Sequence, residues 1–204
     1  MSNTEKMRNN IVCMAGRLVE PLKFSHSNHG EDFYQTKLSI QRNSGVFDEI
    51  PLIISERLLM QTPVCIYDYI SIYGEFRSWS NSKKLQLFLW PRSLTILNED
   101  INHNKIFLEG YICKEPVYRM TPLGRKITDV ILAVNREYKK SDYIPLIFWG
   151  RSAFYVGTLD VGDKIKIKGR IQSREYVKLN ENATYITKTA YEVSSTYVEK
   201  ISNN

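Results

Sequence analysis

The chain has 204 residues, of which 43% are hydrophobic and 25% charged, and these proportions exclude an intrinsically disordered protein. The formal net charge of +6 favours an anionic partner, either nucleic acid or a membrane surface. Residues 1–103 hold 11 Lys and Arg against 11 Asp and Glu, so the whole positive excess lies in residues 104–204.

Cysteine usage and hydropathy indicate where such a protein works. Cys13, Cys65 and Cys113 are odd in number and far apart, which predicts neither a disulfide framework nor a Cys-x-x-Cys metal site. Residues 1–10 are polar, and no run approaches the roughly 18 apolar residues of a membrane span. We therefore expect a soluble, cytoplasmic protein that contacts no membrane.

The sequence repeats itself at a spacing of about 94 residues, which is a sign of duplicated architecture. Glycines and arginines recur in one register: Gly16 with Gly110, Gly30 with Gly124, Arg42 with Arg136 and, after one inserted residue, Gly74 with Gly169. We predict two copies of one domain, residues 10–97 and 105–201, joined by the polar residues 98–104.

The second copy has the clearer pattern of elements. Apolar alternation predicts strands at residues 105–111, 126–136, 143–150, 163–173 and 186–201. Ala153, Val156 and Leu159 lie at near-helical spacing, so residues 151–160 are expected to form a short helix. A turn is predicted at residues 121–124 and a long loop at residues 174–185.

The first copy fits the same order, with its helix at residues 55–65 and its last strand at 85–97. Three strands, a short helix and two further strands are typical of a five-stranded oligonucleotide-binding (OB) barrel. We therefore predict an all-β protein of two tandem five-stranded OB-fold Greek-key barrels, each with a short helix between its third and fourth strands.

Apolar and charged residues alternate strictly over residues 163–178, a pattern that predicts a strand and also a face that could bind a ligand. Ile165, Ile167 and Ile171 share the inner face, and cationic residues line the outer face. Gly169 could host a bulge that changes this alternation. The cationic face is either a solvated surface that keeps the sheet soluble or one wall of a groove for a polyanion.

The second copy contains three short motifs: Leu-Ala-Val-Asn-Arg at 132–136, Phe-Trp-Gly at 148–150 and Gly-Arg-Ile-Gln-Ser-Arg at 169–174. Through these motifs, most of residues 105–201 resemble the bacterial single-stranded DNA-binding (SSB) family. The resemblance places the base-stacking aromatics of the family on Tyr138, Tyr143, Trp149 and Tyr176. Because every base offers a π-face, stacking on these rings would be tolerant of sequence.

Each aromatic also has a purely structural interpretation. Trp149 adjoins Phe148, and one of the two must point into the core. Tyr143 and Tyr176 could be ordinary barrel surface, whereas Tyr138 lies in a polar loop where a core role is not expected.

Phosphate contacts are predicted for a cluster of cations: Arg119, Arg125, Arg136, Arg170, Arg174 and Lys178. Lys126, Lys139 and Lys140 are further candidates. Any one of these charges alone could be solvated surface, so the prediction depends on the cluster.

The first copy departs from the family pattern. At the positions equivalent to the four aromatics it has Ser44, Glu49, Ser55 and Asn81. Two interpretations remain open for its outer face. Trp79, Arg77 and Lys83 could form a reduced nucleic-acid platform, or Trp79 with Phe88 and Trp90 could form a protein interface.

These observations predict a non-catalytic protein, without cofactor or metal, that binds single-stranded DNA largely independently of sequence. Its setting would be replication, recombination or repair at the nucleoid. His26 and His29 could bind a metal only with further ligands, and neither a Gly-rich phosphate loop nor a nucleophile-elbow motif is present.

The resemblance to the SSB family also predicts binding partners for the protein. A homodimer would supply four OB folds, and replication proteins could bind the first domain. The main alternative is a replication or primosome adaptor with weak nucleic-acid binding, followed by an RNA-binding barrel and a nuclease.

Overall fold

The computed structural model describes residues 9–81, 84–179 and 184–202, without the side chains of Asn81, Lys84 and Tyr138. The first half consists of β1 (Asn10–Leu18), β2 (Lys23–Asn28), β3 (Glu31–Gln41), β4 (Phe47–Ser55), α1 (Glu56–Gln61), β5 (Tyr69–Asn81) and β6 (Lys84–Leu97).

The second half repeats this order. It consists of β7 (His103–Ile112), β8 (Val117–Met120), β9 (Lys126–Asn135), a 3-10 turn (Glu137–Lys139), β10 (Ser141–Trp149), α2 (Gly150–Val156), β11 (Lys164–Leu179) and β12 (Tyr185–Ile201). Within the described ranges, no helix is both long enough and apolar enough to span a bilayer.

Each half closes into a five-stranded barrel. The pairings run β1–β5–β6–β4–β3 in the first half, and Arg17 on β1 pairs with Ser39 on β3 to close the cycle. The second half runs β7–β11–β12–β10–β9, and Tyr111 pairs with Ala133 to close it. β2 pairs with β3, and β8 pairs with β9, at the outer edge of each barrel, and neither takes part in closing it. The predicted tandem OB-fold barrels are confirmed.

The repeated glycines lie where strands approach most closely. A Cβ atom on Gly110 would lie 2.4 Å from the carbonyl oxygen of Ala133, and one on Gly169 would lie 2.4 Å from that of Ser194. Both distances are shorter than any side chain tolerates, so barrel closure requires glycine at these positions. The same holds for Gly16 and Gly74 in the first barrel.

The alternation of β11 produces the inner wall of the second barrel. Ile165, Ile167 and Ile171 are all fully buried, as predicted. The pairing register with β12 shifts at Gly169, and the extra residue, Thr196, belongs to β12. Because the bulge lies in β12, the inward and outward alternation of β11 continues past Gly169.

Three predictions about elements were wrong. Residues 174–179 continue β11 instead of starting a loop, because they pair with β12 as far as Leu179 and Tyr185. α2 ends at Val156, earlier than the predicted residue 160, and α1 ends at Gln61, earlier than the predicted residue 65. Residues 117–120 form β8, which pairs with β9 and for which no element was predicted. Both missed strand segments are exposed on both faces, so no apolar period revealed them.

The two barrels join through an antiparallel pairing of their first strands. Residues 10–15 of β1 pair with residues 103–108 of β7. Val12 faces Ile106, its equivalent in the repeat, so a local twofold axis passes between them. Buried residues of both halves form one continuous cluster across this junction.

Candidate nucleic-acid interface

Strand register places most of the predicted binding residues on one side of the second barrel. Arg170 pairs with Ser194 on β12, which pairs with Ile147 on β10, two residues from Trp149. Cross-strand partners project from the same face of a sheet, and so do residues two apart on a strand. This surface, the second-barrel face, carries Tyr143, Trp149, Arg170, Arg174, Tyr176 and Lys178, with Arg119 at its far edge.

The aromatic side chains of this face are partly exposed. The exposed fraction is 47% for Tyr143, 37% for Trp149 and 37% for Tyr176. Phe148 is the neighbour that enters the core, with no exposed surface. Tyr138 belongs to the 3-10 turn that precedes β10, but its side chain lies outside the described part of the structure.

A buried polar network forms the floor of the face. The indole Nε1 of Trp149 donates to Ser194 Oγ at 3.2 Å. Gln172 Nε2 donates to Glu192 Oε1 at 2.7 Å, and Arg170 Nη2 donates to Gln172 Oε1 at 3.2 Å. These bonds orient Trp149 and Arg170 before any ligand arrives, which lowers the entropic cost of binding.

Sequence reasoning missed this floor. Gln172, Glu192 and Ser194 are each 6–7% exposed, although the alternation of β11 places Gln172 on the cationic outer face. Glu192 Oε2 also lies 4.0 Å from Arg174 Nη2, so the carboxylate helps to hold two of the predicted cations. The available signal was Gln172, a neutral polar residue on the same face of β11 as Arg170 and Arg174. Its burial depends on side chains of neighbouring strands, which the local sequence does not show.

Arg170 lies beside the first barrel. Its guanidinium is 3.9 Å from the carboxylate of Asp48 on β4, and the Arg170 side chain as a whole is 38% exposed. Burial and the neighbouring charge of Arg42 lower its pKa, and Asp48 opposes that shift. An arginine stays protonated under such conditions, so Arg170 is a fixed cation at the inner end of the face.

Arg136 has a structural partner that the sequence did not indicate. Its guanidinium binds both carboxylate oxygens of Asp142, and Nη2 also donates to the carbonyl oxygen of Ser78 at 2.6 Å. Asp142 Oδ1 accepts a hydrogen bond from the Ser78 backbone N–H at 2.5 Å. Arg136 therefore joins the two barrels. To make the predicted phosphate contact, it would have to bind a phosphate while it also binds Asp142 and Ser78.

The same arrangement occurs at the equivalent positions of the other barrel. Arg42 binds Asp48, and its Nη2 donates to the carbonyl oxygen of Ser173 at 2.9 Å. Ser173 N–H donates to Asp48 Oδ1 at 2.6 Å. We call each of these sets an Arg-Asp-Ser clamp. The clamps explain why Arg42 and Arg136, and Ser78 and Ser173, recur in the repeat.

The remaining predicted cations lie apart from the aromatic centre. Arg119 Nε donates to Asp129 Oδ2 at 2.6 Å on the β8–β9 hairpin, and Arg125 is exposed in the turn of that hairpin. Lys178 is exposed towards the end of β11, opposite Ile186. The candidate residues thus form an aromatic and cationic centre with cations at both edges.

The equivalent face of the first barrel has different chemistry. Glu75 replaces Arg170 and forms ion pairs with Arg77 and Arg92 at 2.7 and 2.8 Å. Phe33 stacks on Trp90 with ring centroids 5.0 Å apart, and Arg77 lies 4.8 Å above the Trp90 ring. This internally paired cluster was not predicted, because its members come from three separated strands.

Trp79 is half exposed on the same face, whereas Lys83 and the side chain of Asn81 lie outside the described residues. His26 stacks on Phe33 at 4.9 Å. Across residues 9–81, 84–179 and 184–202, no three His, Cys, Asp or Glu side chains are placed to share a metal ion.

Comparison with known proteins agrees with this geometry. The model of the single-strand binding protein family matches residues 103–198, which include every residue of the second-barrel face named above. Over 96 residues the chain is 31% identical to single-stranded DNA-binding protein 2 of Clostridium acetobutylicum, covering 44% of this chain and 72% of that protein. The chain belongs to the single-strand binding protein family.

Other relatives agree with this membership. The chain is 34% identical over 91 residues to the single-stranded DNA-binding protein of Clostridium tetani, which is 41% of this chain and 63% of that protein. The solved single-stranded DNA-binding protein of Thermus aquaticus superposes with a TM-score of 0.75, 18% identity and coverage of 96% of this chain and 94% of that one. That likeness covers both barrels and concerns the fold.

Proposed function

We propose that the protein binds single-stranded DNA without catalysis and largely without sequence preference, through the second-barrel face. The observation that carries the proposal is the projection of Tyr143, Trp149 and Tyr176 from one sheet face together with Arg170 and Arg174. Membership of the single-strand binding protein family supports it.

The mechanism has two steps. Arginine and lysine side chains attract the phosphate backbone and release its counterions, which gives affinity that falls as salt rises. Splayed bases then stack on the exposed rings, each stack contributing about 1–3 kcal/mol. Because Trp149 and Arg170 are already held by Ser194 and Gln172, little ordering remains to be done when DNA arrives.

The two barrels divide the work in this proposal. Residues 105–201 form the binding domain. Residues 10–97 form a diverged OB domain, in which the central cations Arg77 and Arg92 are already paired with Glu75. We place the protein at the bacterial nucleoid in replication, recombination or repair. We also propose a homodimer with four OB folds, which sedimentation at micromolar concentration tests; a strict monomer would contradict it.

The test of function is binding of labelled oligo-dT measured by fluorescence anisotropy at two salt concentrations. The double variant Trp149→Ala/Tyr176→Ala should bind about tenfold or more weakly, since two stacking surfaces are lost. The control is Phe24→Ala, an exposed aromatic residue on β2 of the first barrel, with circular dichroism to check folding. Equal affinity of the double variant and the wild type would refute the proposal.

Matched duplex DNA and RNA oligomers separate the rival functions. Binding of RNA in preference to oligo-dT would indicate an RNA-binding barrel. Weak binding of every oligomer would favour the adaptor function.

A further inference from the structure

A groove of about 460 Å³ crosses the boundary between the barrels. One wall is the outer face of the first barrel, with Lys37, Phe47 and Glu49. The other wall is the part of the β11–β12 hairpin that lies against the first barrel, with Ser173, Glu175, Thr189 and Tyr191. We call residues 173–179 and 185–191 the β11–β12 arm, and the equivalent residues 78–81 and 84–87 the β5–β6 arm.

The β5–β6 arm is attached to the second barrel in the same way. Asp48 holds Ser173 at the base of one arm, and Asp142 holds Ser78 at the base of the other. The Tyr143 backbone N–H also donates to Ser78 Oγ at 2.8 Å. The arm of the first barrel therefore begins directly beside one of the proposed stacking residues.

The twofold relation between the barrels predicts an equivalent, second groove between Tyr143 and the β5–β6 arm, and strand register identifies the arm residues that face it. Ser80 pairs with Leu85 and Ser78 pairs with Leu87, so all four project from the side of the arm that contacts the second barrel. In the β11–β12 arm the equivalent pairs, Glu175 with Thr189 and Ser173 with Tyr191, line the 460 Å³ groove. Because Leu85 is equivalent to Thr189, we expect Leu85 to line the wall opposite Tyr143.

The two grooves differ in charge. The first contains two carboxylates, Glu49 and Glu175, and Lys37 is paired with Glu20 at 2.9 Å. At the equivalent positions the second has Tyr143 and Ser80, with Ile131 in place of Lys37. Carboxylates repel a phosphate backbone, whereas an aromatic ring with apolar neighbours suits a nucleobase.

We propose that the groove between Tyr143 and the β5–β6 arm seats a nucleobase, with Leu85 of the first barrel as its apolar wall. Leu85 is 39% exposed, so its side chain is available to a ligand. This inference rests on the proposed binding of single-stranded DNA. It makes the DNA site composite, since the first barrel supplies part of a site that belongs to the second.

Photocrosslinking of the full chain tests the contact directly. The photoreactive variant Leu85→benzoylphenylalanine is irradiated with labelled oligo-dT, and Thr189→benzoylphenylalanine at the equivalent position of the other arm is the control. Crosslinked DNA at position 85 and none above background at position 189 is the expected result. Oligo-dT that binds without crosslinking at position 85 overturns the proposal.

Affinity gives a second measurement. Leu85→Glu, at a surface position, should weaken oligo-dT binding about fivefold or more, because a base loses its wall and meets a negative charge. Thr189→Glu should change affinity less. Equal affinities of Leu85→Glu and wild type contradict the composite site, whereas a wild type that does not bind oligo-dT contradicts the proposed function itself.

Discussion

The two barrels share one backbone plan and differ at the centre of their outer faces. Arg170 of the second barrel occupies the position of Glu75, and Tyr143 occupies that of Glu49. In the first barrel, Glu75 forms ion pairs with Arg77 and Arg92, so these two positive charges are already balanced within the protein. Residues on the outer face can therefore change, and with them the ligand that the face suits, while the barrel fold is kept, because folding depends on the residues of the inner face.

What both barrels retain is structural. Asn10 exchanges two hydrogen bonds with the backbone of Phe76, and Asn104 does the same with Ile171. The Arg-Asp-Ser clamps are likewise present twice. These residues lie at strand ends and at the junction, where unpaired backbone groups would otherwise be costly.

The largest expected effect concerns the clamps. The side chains of Asp48 and Asp142 are each 1% exposed, and removing either leaves a partly buried arginine and a backbone N–H without their carboxylate partner. Asp142→Ala and Asp48→Ala should each lower the free energy of unfolding by about 3–5 kcal/mol, the usual cost of breaking a buried pair. Urea unfolding followed by circular dichroism measures it.

The control for the clamps is Asp100→Ala, an exposed carboxylate expected to change stability by less than about 0.5 kcal/mol. Equal losses for Asp48→Ala and Asp142→Ala would support the twofold relation. A loss confined to one variant would show that only one clamp joins the barrels.

The next effect tests the charge difference between the faces. Arg170→Glu gives the second barrel the charge that Glu75 gives the first, and we expect about tenfold weaker binding of oligo-dT because like charges now face the backbone. Arg57→Glu, on exposed α1 of the first barrel, makes the same change in net charge. If Arg57→Glu weakens binding equally, net charge explains the affinity and the face does not.

A smaller effect concerns pH and the first barrel. Burial tends to raise the pKa of Glu75, but Arg77 and Arg92 outweigh it, so the pKa lies below its usual range. A lowered folded-state pKa stabilises the protein above the pKa of the unfolded state, about 4.3, and this contribution is lost as the pH falls through the folded-state value.

Glu75→Gln should therefore be less stable than wild type at pH 7 by about 1–2 kcal/mol, the usual contribution of charge-assisted hydrogen bonds. The difference should shrink as the pH is lowered below 4. Thermal unfolding across this pH range measures it. A constant difference at every pH would mean that the ion pairs do not stabilise the fold.

The sequence was sufficient for the barrels but only partly for the site. Ile165, Ile167 and Ile171 revealed β11 because their alternation is local, and the repeat of Gly16 and Gly74 revealed the second copy. The clamp between Asp142 and Ser78 joins residues 64 positions apart, so no local pattern contains it. Buried Glu192 was missed for the same reason, since its partners belong to the neighbouring strand.

The smallest effect separates the cations of the second-barrel face one by one. Arg174 and Lys178 are both exposed on β11, and each contact with a phosphate contributes about 0.7 to the slope of log affinity against log salt for single strands. Arg174→Ala and Lys178→Ala should each make the slope shallower by that amount, and Lys23→Ala on the first barrel should leave it unchanged. Because 4.0 Å separates Arg174 from Glu192, the carboxylate already screens part of this charge, so Lys178→Ala should show the fuller change. A slope altered equally by Lys23→Ala would mean that phosphates also contact β2 of the first barrel, so the phosphate path would not be confined to the second-barrel face.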